Sequence, residues 1–311
     1  MRWFGALAGL ALMACAAAAP AQPDAAAPPD PSPPAAVEPA PSSPPAAPAE
    51  ARGFACEGAL TQGGVALCRA APGAEIFIEG EAVGRADAQG WAVIGFTRES
   101  PQSLRVEARH DGRAEEITLA IADREFDVQR VDGLPPQTVT PTEPEVLERI
   151  RREAALKNAA FASVAPGAGF LDGFILPVDG IVSGHWGNQR ILNGVPSTPH
   201  FGYDIAAPEG TPIRAPASGV VVLAEPDMHY EGGLVFIDHG QGLITMYLHM
   251  SRLDVRVGDA VQQGQVIGAV GARGRATGPH LCWRMRWRGR QLDPSIAAGG
   301  LAHARNVLGA D

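Results

Sequence analysis

The chain has 311 residues, with 25 basic and 34 acidic side chains and a net charge of −9. This acidic balance argues against a general nucleic-acid binder, which would carry a surplus of basic residues. Lys157 is the only lysine, which excludes any mechanism that needs a second one. The many glycines (37) and prolines (28) predict turns, β-structure and a disordered stretch.

The first 15 residues have the layout of an export signal. Arg2 precedes an apolar run that is shorter than the roughly 20 residues needed to span a bilayer. The sequence Leu12-Met13-Ala14-Cys15 is similar to a bacterial lipobox, in which the cysteine is lipidated, and ordinary cleavage near residues 19–21 is the alternative. We therefore expect the protein to be periplasmic. We expect it to contact a membrane only through a lipid on Cys15, which would anchor it to the outer membrane.

Composition divides the rest of the chain into segments. Residues 16–50 hold 14 Ala and 12 Pro, which predicts a disordered tether over 16–52 that buries no core. Beyond it we predict a small β-sandwich domain over 53–128, a linker over 129–172 with one helix at 143–160, a second β domain over 173–298 and a tail over 299–311.

Short alternating runs separated by Gly/Asp turns predict the first β domain. Cys56 and Cys68 bracket its first turn, and we expect them to form a disulfide in an oxidising compartment. The linker helix is predicted from an apolar stripe of Leu147, Ile150 and Leu156, with acidic residues in its first turn.

Residues that bind metals or transfer protons cluster in the second β domain. His200 and Asp204 are four residues apart, but a glycine between them and flanking prolines argue against a helix. In an ideal strand they would lie about 13 Å apart, so the segment must bend if both are to bind one metal. His280 and Cys282 share one strand face, and another strand ends near His249. If these strands form one sheet, the five side chains lie in one pocket. Three of them could then bind a metal, and the other two could transfer protons.

Three motifs resemble those of the lysostaphin-type (LytM-like) zinc metallopeptidases of bacterial cell walls. They are His200-x-x-x-Asp204, Tyr247-x-His249 and Gly278-Pro279-His280-Leu281-Cys282, within a resemblance that spans residues 175–296. The resemblance implies one Zn²⁺ per chain and hydrolysis of peptide bonds in peptidoglycan stems or cross-bridges. It also implies that His200 and Asp204 are zinc ligands and that His249 and His280 are catalytic residues that handle protons.

The fold expected from these observations is all-β. A small N-terminal β-sandwich precedes a C-terminal lysostaphin-type domain, which is an antiparallel β-sheet of barrel-sandwich type, and a linker with one helix joins them. The resemblance does not cover the N-terminal sandwich, whose role the sequence does not indicate.

Two residues depart from the family pattern. Cys282 stands where the family has the second histidine of His-x-His, and Arg284 lies two residues on, where relatives commonly carry Glu or Gly. In one interpretation Cys282 is the third zinc ligand as a thiolate, and Arg284 lowers the pKa of the thiol. In the other, Arg284 replaces the cation, and the domain is a non-catalytic protein that recruits or activates other cell-wall hydrolases.

Three residues are candidates for contacting substrate: Arg190, Tyr230 and Arg284. Arg190 could hold a carboxylate with two hydrogen bonds or could pair within the protein. Tyr230 could stack on substrate from a loop at the edge of a cleft. His239 lies at a predicted hairpin turn, where we expect a structural role.

Overall fold

Strands account for most of the regular structure in the computed structural model, which describes residues 53–309. The predicted all-β class is thereby confirmed. The predicted export signal, Cys15 and the tether lie outside the described residues. No helix among the described residues is long and apolar enough to cross a membrane.

Seven strands form the N-terminal part as two antiparallel sheets, ordered β1-β2-β5 and β4-β3-β6-β7. Inward and outward side chains alternate along β6, as expected for a strand with one buried face. Cys56 lies opposite Cys68 on the neighbouring strand, and the two form a disulfide. The strands are β1 (Ala55–Gly58), β2 (Val65–Arg69), β3 (Glu75–Ile78), β4 (Glu81–Arg85), β5 (Trp91–Gly95), β6 (Ser103–His110) and β7 (Arg113–Ala120).

The linker contains more regular structure than the one helix predicted. That helix runs over Pro144–Phe161 (here α2), one residue later at each end than the prediction. Before it, β8 (Val128–Val131) pairs in parallel with a strand from the second domain, and α1 (Pro136–Val139) follows. A 3-10 turn at Gly169–Asp172 leads into the second domain.

An eight-stranded antiparallel sheet forms the centre of the second domain, in the order β18-β14-β15-β16-β20-β12-β9 with β21 paired to β20. Two small sheets, β11-β10-β8 and β13-β19-β17, flank it. The strands are β9 (Ile181–Gly184), β10 (Gln189–Leu192), β11 (Val195–Pro196), β12 (Tyr203–Ala206), β13 (Pro212–Arg214), β14 (Gly219–Met228), β15 (Gly232–Asp238), β16 (Leu243–Met250), β17 (Arg252–Leu253), β18 (Ala260–Val261), β19 (Val266–Ala269), β20 (His280–Trp287) and β21 (Arg290–Leu292).

Both faces of this sheet are covered, so its central strands are buried on both sides. Val235 and Ile237 on one face belong to the same core as the N-terminal sandwich. Phe236 on the other face stacks on Phe161 of α2, with ring centroids 4.9 Å apart. Cys282 lies on the α2 face, which therefore carries the candidate site.

A C-terminal helix, α3 (Pro294–Gly309), was not predicted, because residues 299–311 were interpreted as a tail. Asp293 directly precedes the helix, and its carboxylate accepts hydrogen bonds from the backbone and side chain of Ser295. Its buried stripe packs on β1 and β2. Much of that stripe is alanine, so its apolar signal in the sequence is weak; it consists of Ala297, Leu301, Ala304 and Leu308.

Candidate metal centre

Three predicted ligands meet on the α2 face of the large sheet. One ligand atom each from His200, Asp204 and Cys282 lies within 4.8 Å of the other two. Asp204 on β12 is directly opposite Cys282 on β20, so strand register brings them together. All three side chains are buried.

His200 lies in the loop before β12 and is held by its backbone. Its carbonyl accepts a hydrogen bond from Gly187 and its N–H donates to Asn188. On the ring, Nδ1 faces the carbonyl of His185 at 3.4 Å, which leaves Nε2 without a proton. Nε2 lies 3.2 Å from Asp204 Oδ1 and 3.4 Å from Cys282 Sγ.

The space among these atoms suits a cation. Oδ1 of Asp204 is buried and has no hydrogen-bond donor among the described residues. Gly202 leaves the space open, because a Cβ there would lie 2.5 Å from Cys282 Sγ and 2.8 Å from His200 Nε2. An imidazole nitrogen, a carboxylate oxygen and a sulfur are all ligands that Zn²⁺ accepts. The residues present therefore fit a bound zinc ion.

Two further histidines, His249 and His280, lie beside the three ligands with ring centroids 4.7 Å apart. Nδ1 of His249 donates to the carbonyl of Arg273 at 2.8 Å, and Nδ1 of His280 donates to the carbonyl of Gly278 at 2.8 Å. These bonds fix both rings with Nε2 available to hold or release a proton. His249 has a left-handed backbone (φ +67°), a conformation in which histidine is enriched.

Burial dominates the ionisation of this site. Burial lowers the pKa of His200 to about 4, and burial together with His280 lowers that of His249 to about 3. Burial and the neighbouring Asp204 raise the pKa of the Cys282 thiol to about 12. Burial opposes ionisation of Asp204, but its contacts with His200 and with the Arg190 guanidinium hold its pKa well below the ordinary value.

Each of the three residues predicted to contact substrate makes a different contact within the protein. Arg190 forms an ion pair with Asp204 (Nη2 to Oδ2, 2.7 Å), so it contacts a ligand directly. Arg284 donates from Nε to Cys282 Sγ at 3.4 Å. Tyr230 is half-buried beneath the guanidinium of Arg275, which lies 4.8 Å from the ring centroid.

A cleft of about 470 Å³ opens beside the site. Asp204, His249 and His280 line it together with Arg190. Linker residues 129–132 and Leu134 also line it, and they reach the site because β8 pairs with β10. Of the three predicted ligands, Asp204 lines the cleft, beside His249 and His280.

Arg275 is a site residue that the sequence analysis did not single out. It lines the cleft, and both burial and the positive charges of Arg284 and Arg190 lower its pKa. The only signal in the sequence was its place among many arginines between residues 273 and 290. Nothing in that pattern distinguishes Arg275 from its exposed neighbours.

Comparison with known proteins agrees with this geometry. Peptidase family M23 matches residues 198–294, the segment that holds all three ligands. A Pseudomonas aeruginosa protein whose crystal structure is assigned to peptidase M23 is 34% identical, over 77% of this chain and 95% of that one, with a TM-score of 0.60. The chain belongs to peptidase family M23. The predicted resemblance is thereby confirmed, and the structural match extends well beyond the M23 segment itself.

Two curated relatives match about a third of this chain. The chain is 44% identical over 95 residues to the peptidoglycan DD-endopeptidase ShyA of Vibrio cholerae. It is also 44% identical over 99 residues to the DD-carboxypeptidase/endopeptidase Mpg of Neisseria meningitidis. These matches cover 30% and 32% of this chain, but only 22% and 23% of the relatives' lengths.

Proposed function

We propose that the protein is an exported zinc metalloendopeptidase that hydrolyses peptide bonds in bacterial peptidoglycan and works in the periplasm. Three buried ligand atoms around a space that a glycine keeps open carry the proposal. Membership of family M23 supports a peptidase, and the activities named for the Vibrio and Neisseria relatives support peptidoglycan as substrate.

His200, Asp204 and Cys282 would hold the zinc ion. Bound there, zinc would polarise the scissile carbonyl and lower the pKa of a water molecule. Nδ1 of His249 and of His280 donates to a backbone carbonyl, so Nε2 of each ring offers a lone pair. It could accept a proton from the attacking water and pass that proton to the leaving amine. The Arg190–Asp204 ion pair would fix the orientation of the carboxylate.

One observation favours a second candidate function. Arg284 Nε lies 3.4 Å from Cys282 Sγ, so a guanidinium already contacts one of the three ligands. If this contact were to replace a metal, the domain would bind peptidoglycan or other cell-wall hydrolases without cleaving peptides. We favour the enzyme, because Arg284 donates to the sulfur alone among the three ligands, and Oδ1 of Asp204 has no donor among the described residues.

Dye release from purified sacculi tests the enzyme directly. We expect the wild-type protein to release dye and to contain zinc, and His200→Ala to lose both. His110→Ala is the matched control, because His110 lies on the exposed end of β6 and should retain full release. A wild-type protein that contains no zinc and releases no dye would favour the binding protein.

The export and lipid-anchor predictions need their own measurement. We propose that the mature protein begins at a lipidated Cys15 and is held at the outer membrane. Mass spectrometry of the purified mature N-terminus should show a diacylglyceryl-modified cysteine that is absent from a Cys15→Ser variant. An unmodified N-terminus near residues 19–21 would show ordinary cleavage instead.

A further inference from the structure

A second, smaller cavity of about 80 Å³ adjoins the candidate metal centre. Three arginines from three different segments reach it: Arg190 from β10, Arg275 from the loop before β20, and Arg284 from β20. Tyr230 and His249 complete much of its wall. The cavity shares His249 and Arg190 with the large cleft, so a ligand in it would lie beside the reacting bond.

Protein contacts hold each guanidinium in place. Arg275 stacks on Tyr230 and donates to the carbonyl of Thr138 at 3.3 Å. Arg190 is held by Asp204, and Arg284 by the sulfur of Cys282. The donors are therefore oriented before any ligand arrives, which reduces the entropy lost on binding.

The carboxylates nearby do not neutralise this cluster. Asp204 is paired with Arg190, and the Oε1 atom of Glu231 is paired with Lys157. Glu231 also lines the cavity, and its Oε2 atom is buried without a hydrogen-bond donor among the described residues. Among the residues that line the cavity, three guanidinium groups thus face one carboxylate, that of Glu231. Such an excess of buried positive charge is costly unless an anion joins it.

We propose that this cavity is a subsite for a free carboxylate of the substrate peptide, immediately beside the scissile bond. Planar guanidinium groups match carboxylates with paired hydrogen bonds, and a cavity of this size accommodates one carboxylate. The inference rests on the proposed function and narrows it. The substrate is a peptide with an acidic group next to the bond that is cleaved, and neutral cross-bridges lacking that group are poor substrates.

Two parts of peptidoglycan could supply this carboxylate. One is the C-terminal carboxylate of an uncross-linked stem peptide, which would make the enzyme a carboxypeptidase. The other is the free carboxylate of a diamino acid at a cross-link, which would make it an endopeptidase. The chemistry recognised by the arginines is the same in both cases.

Synthetic peptides with and without the carboxylate test the subsite. The probes are an uncross-linked stem peptide and a cross-linked peptide dimer, each prepared as the free acid and as the amide at the carboxylate concerned. Binding is measured by calorimetry and cleavage by chromatography, with the zinc-loaded wild type, Arg275→Gln and Arg286→Gln. Arg286 is the matched control, because it lies on β20 and stacks on Phe161 outside the cavity.

We expect the wild type to bind one acid at least about ten-fold more tightly than its amide, as charge-assisted pairs commonly provide. Arg275→Gln should lose this preference through a higher KM while keeping its zinc, and Arg286→Gln should keep it. Whichever acid is preferred identifies the source. Equal binding of acid and amide by the wild type, or an unchanged preference in Arg275→Gln, would overturn the subsite. Acid-selective binding without any cleavage would overturn the proposed hydrolysis and leave the subsite standing.

Discussion

At the scale of single residues, Cys282 is the most consequential position in the chain. Burial raises the pKa of its thiol to about 12, so zinc would have to displace the thiol proton if it bound there. With Asp204, the thiolate would bring two negative charges to the metal, where a histidine would leave one. The additional charge makes zinc a weaker Lewis acid. Arg284, which donates to the sulfur, partly offsets this effect.

Cys282→His should therefore retain or raise activity. Removing one negative ligand charge lowers the pKa of the zinc-bound water, so the acidic limb of the pH–rate profile should move to lower pH. The profile of kcat/KM for dye release, measured for both proteins at equal zinc content, checks this. An unchanged profile would contradict thiolate ligation in the wild type.

The clustering of the three proposed metal ligands could be predicted from sequence, but the residues that contact them could not. His200, Asp204 and Cys282 are chemically distinctive residues within motifs of recognisable spacing. Arg190 reaches Asp204 from 14 positions away, and nothing in its local sequence predicts that contact. The position of Arg275 could not be predicted either, because its guanidinium stacks on Tyr230, a residue from a distant part of the sequence.

At the scale of structural elements, the N-terminal sandwich supports the metal-ligand loop. The Trp186 side chain is buried against Gly63 of the sandwich. Next to it, Arg98 donates from Nε to the carbonyl of Gly187 at 2.8 Å, and the N–H of Gly187 donates to His200 at 2.7 Å. The sandwich thus acts as a scaffold for the first ligand, a role that its sequence did not indicate.

Gly63→Ala tests this support, because the added Cβ would lie 2.5 Å from the Trp186 ring. We expect the free energy of unfolding to fall by about 1–3 kcal/mol more than in Gly73→Ala, from overpacking. Gly73 is the matched control, since its φ of +75° resembles the +79° of Gly63 but a Cβ added there would meet no atom within 4 Å. Urea unfolding and zinc affinity, measured by competition with a chelator, are the readouts. Equal effects of the two variants on both would contradict the proposed support.

The structural elements that could be predicted were those with a strong periodic pattern of apolar residues. Helix α2 shows an apolar stripe and lies within one residue of its predicted bounds. Helix α3 escaped prediction because its stripe is largely alanine and is interrupted by Gly299 and Gly300. Its burial depends on the groove that β1 and β2 offer, which is a tertiary effect.

At the scale of the whole molecule, one core runs through the sandwich and the M23 domain. His239 is buried in its neutral form against Phe174 of this core. His239 donates from Nδ1 to the carbonyl of Ser218 and contacts Thr245 through Nε2, which is the structural turn role that its sequence context indicated. Burial lowers the pKa of His239 to about 4, against the opposing effect of that hydrogen bond.

Stability should therefore fall in mild acid. The unfolded chain takes up a proton on His239 below its ordinary pKa of about 6.5, whereas the folded chain resists protonation until about pH 4. The resulting loss is about 2 kcal/mol between about pH 7 and about pH 5. Urea unfolding of metal-free protein should show this decline, with a shallower slope in His239→Gln. Parallel slopes for the two proteins would contradict a neutral buried His239.

The zinc content of the purified mature protein tests the central claim most directly. We expect one zinc ion per wild-type chain and a loss of most of it in Cys282→Ser, because a neutral hydroxyl is a far weaker ligand than a thiolate. A wild-type protein without zinc, or a Cys282→Ser variant that retains the full equivalent, would contradict the proposed imidazole, carboxylate and thiolate site.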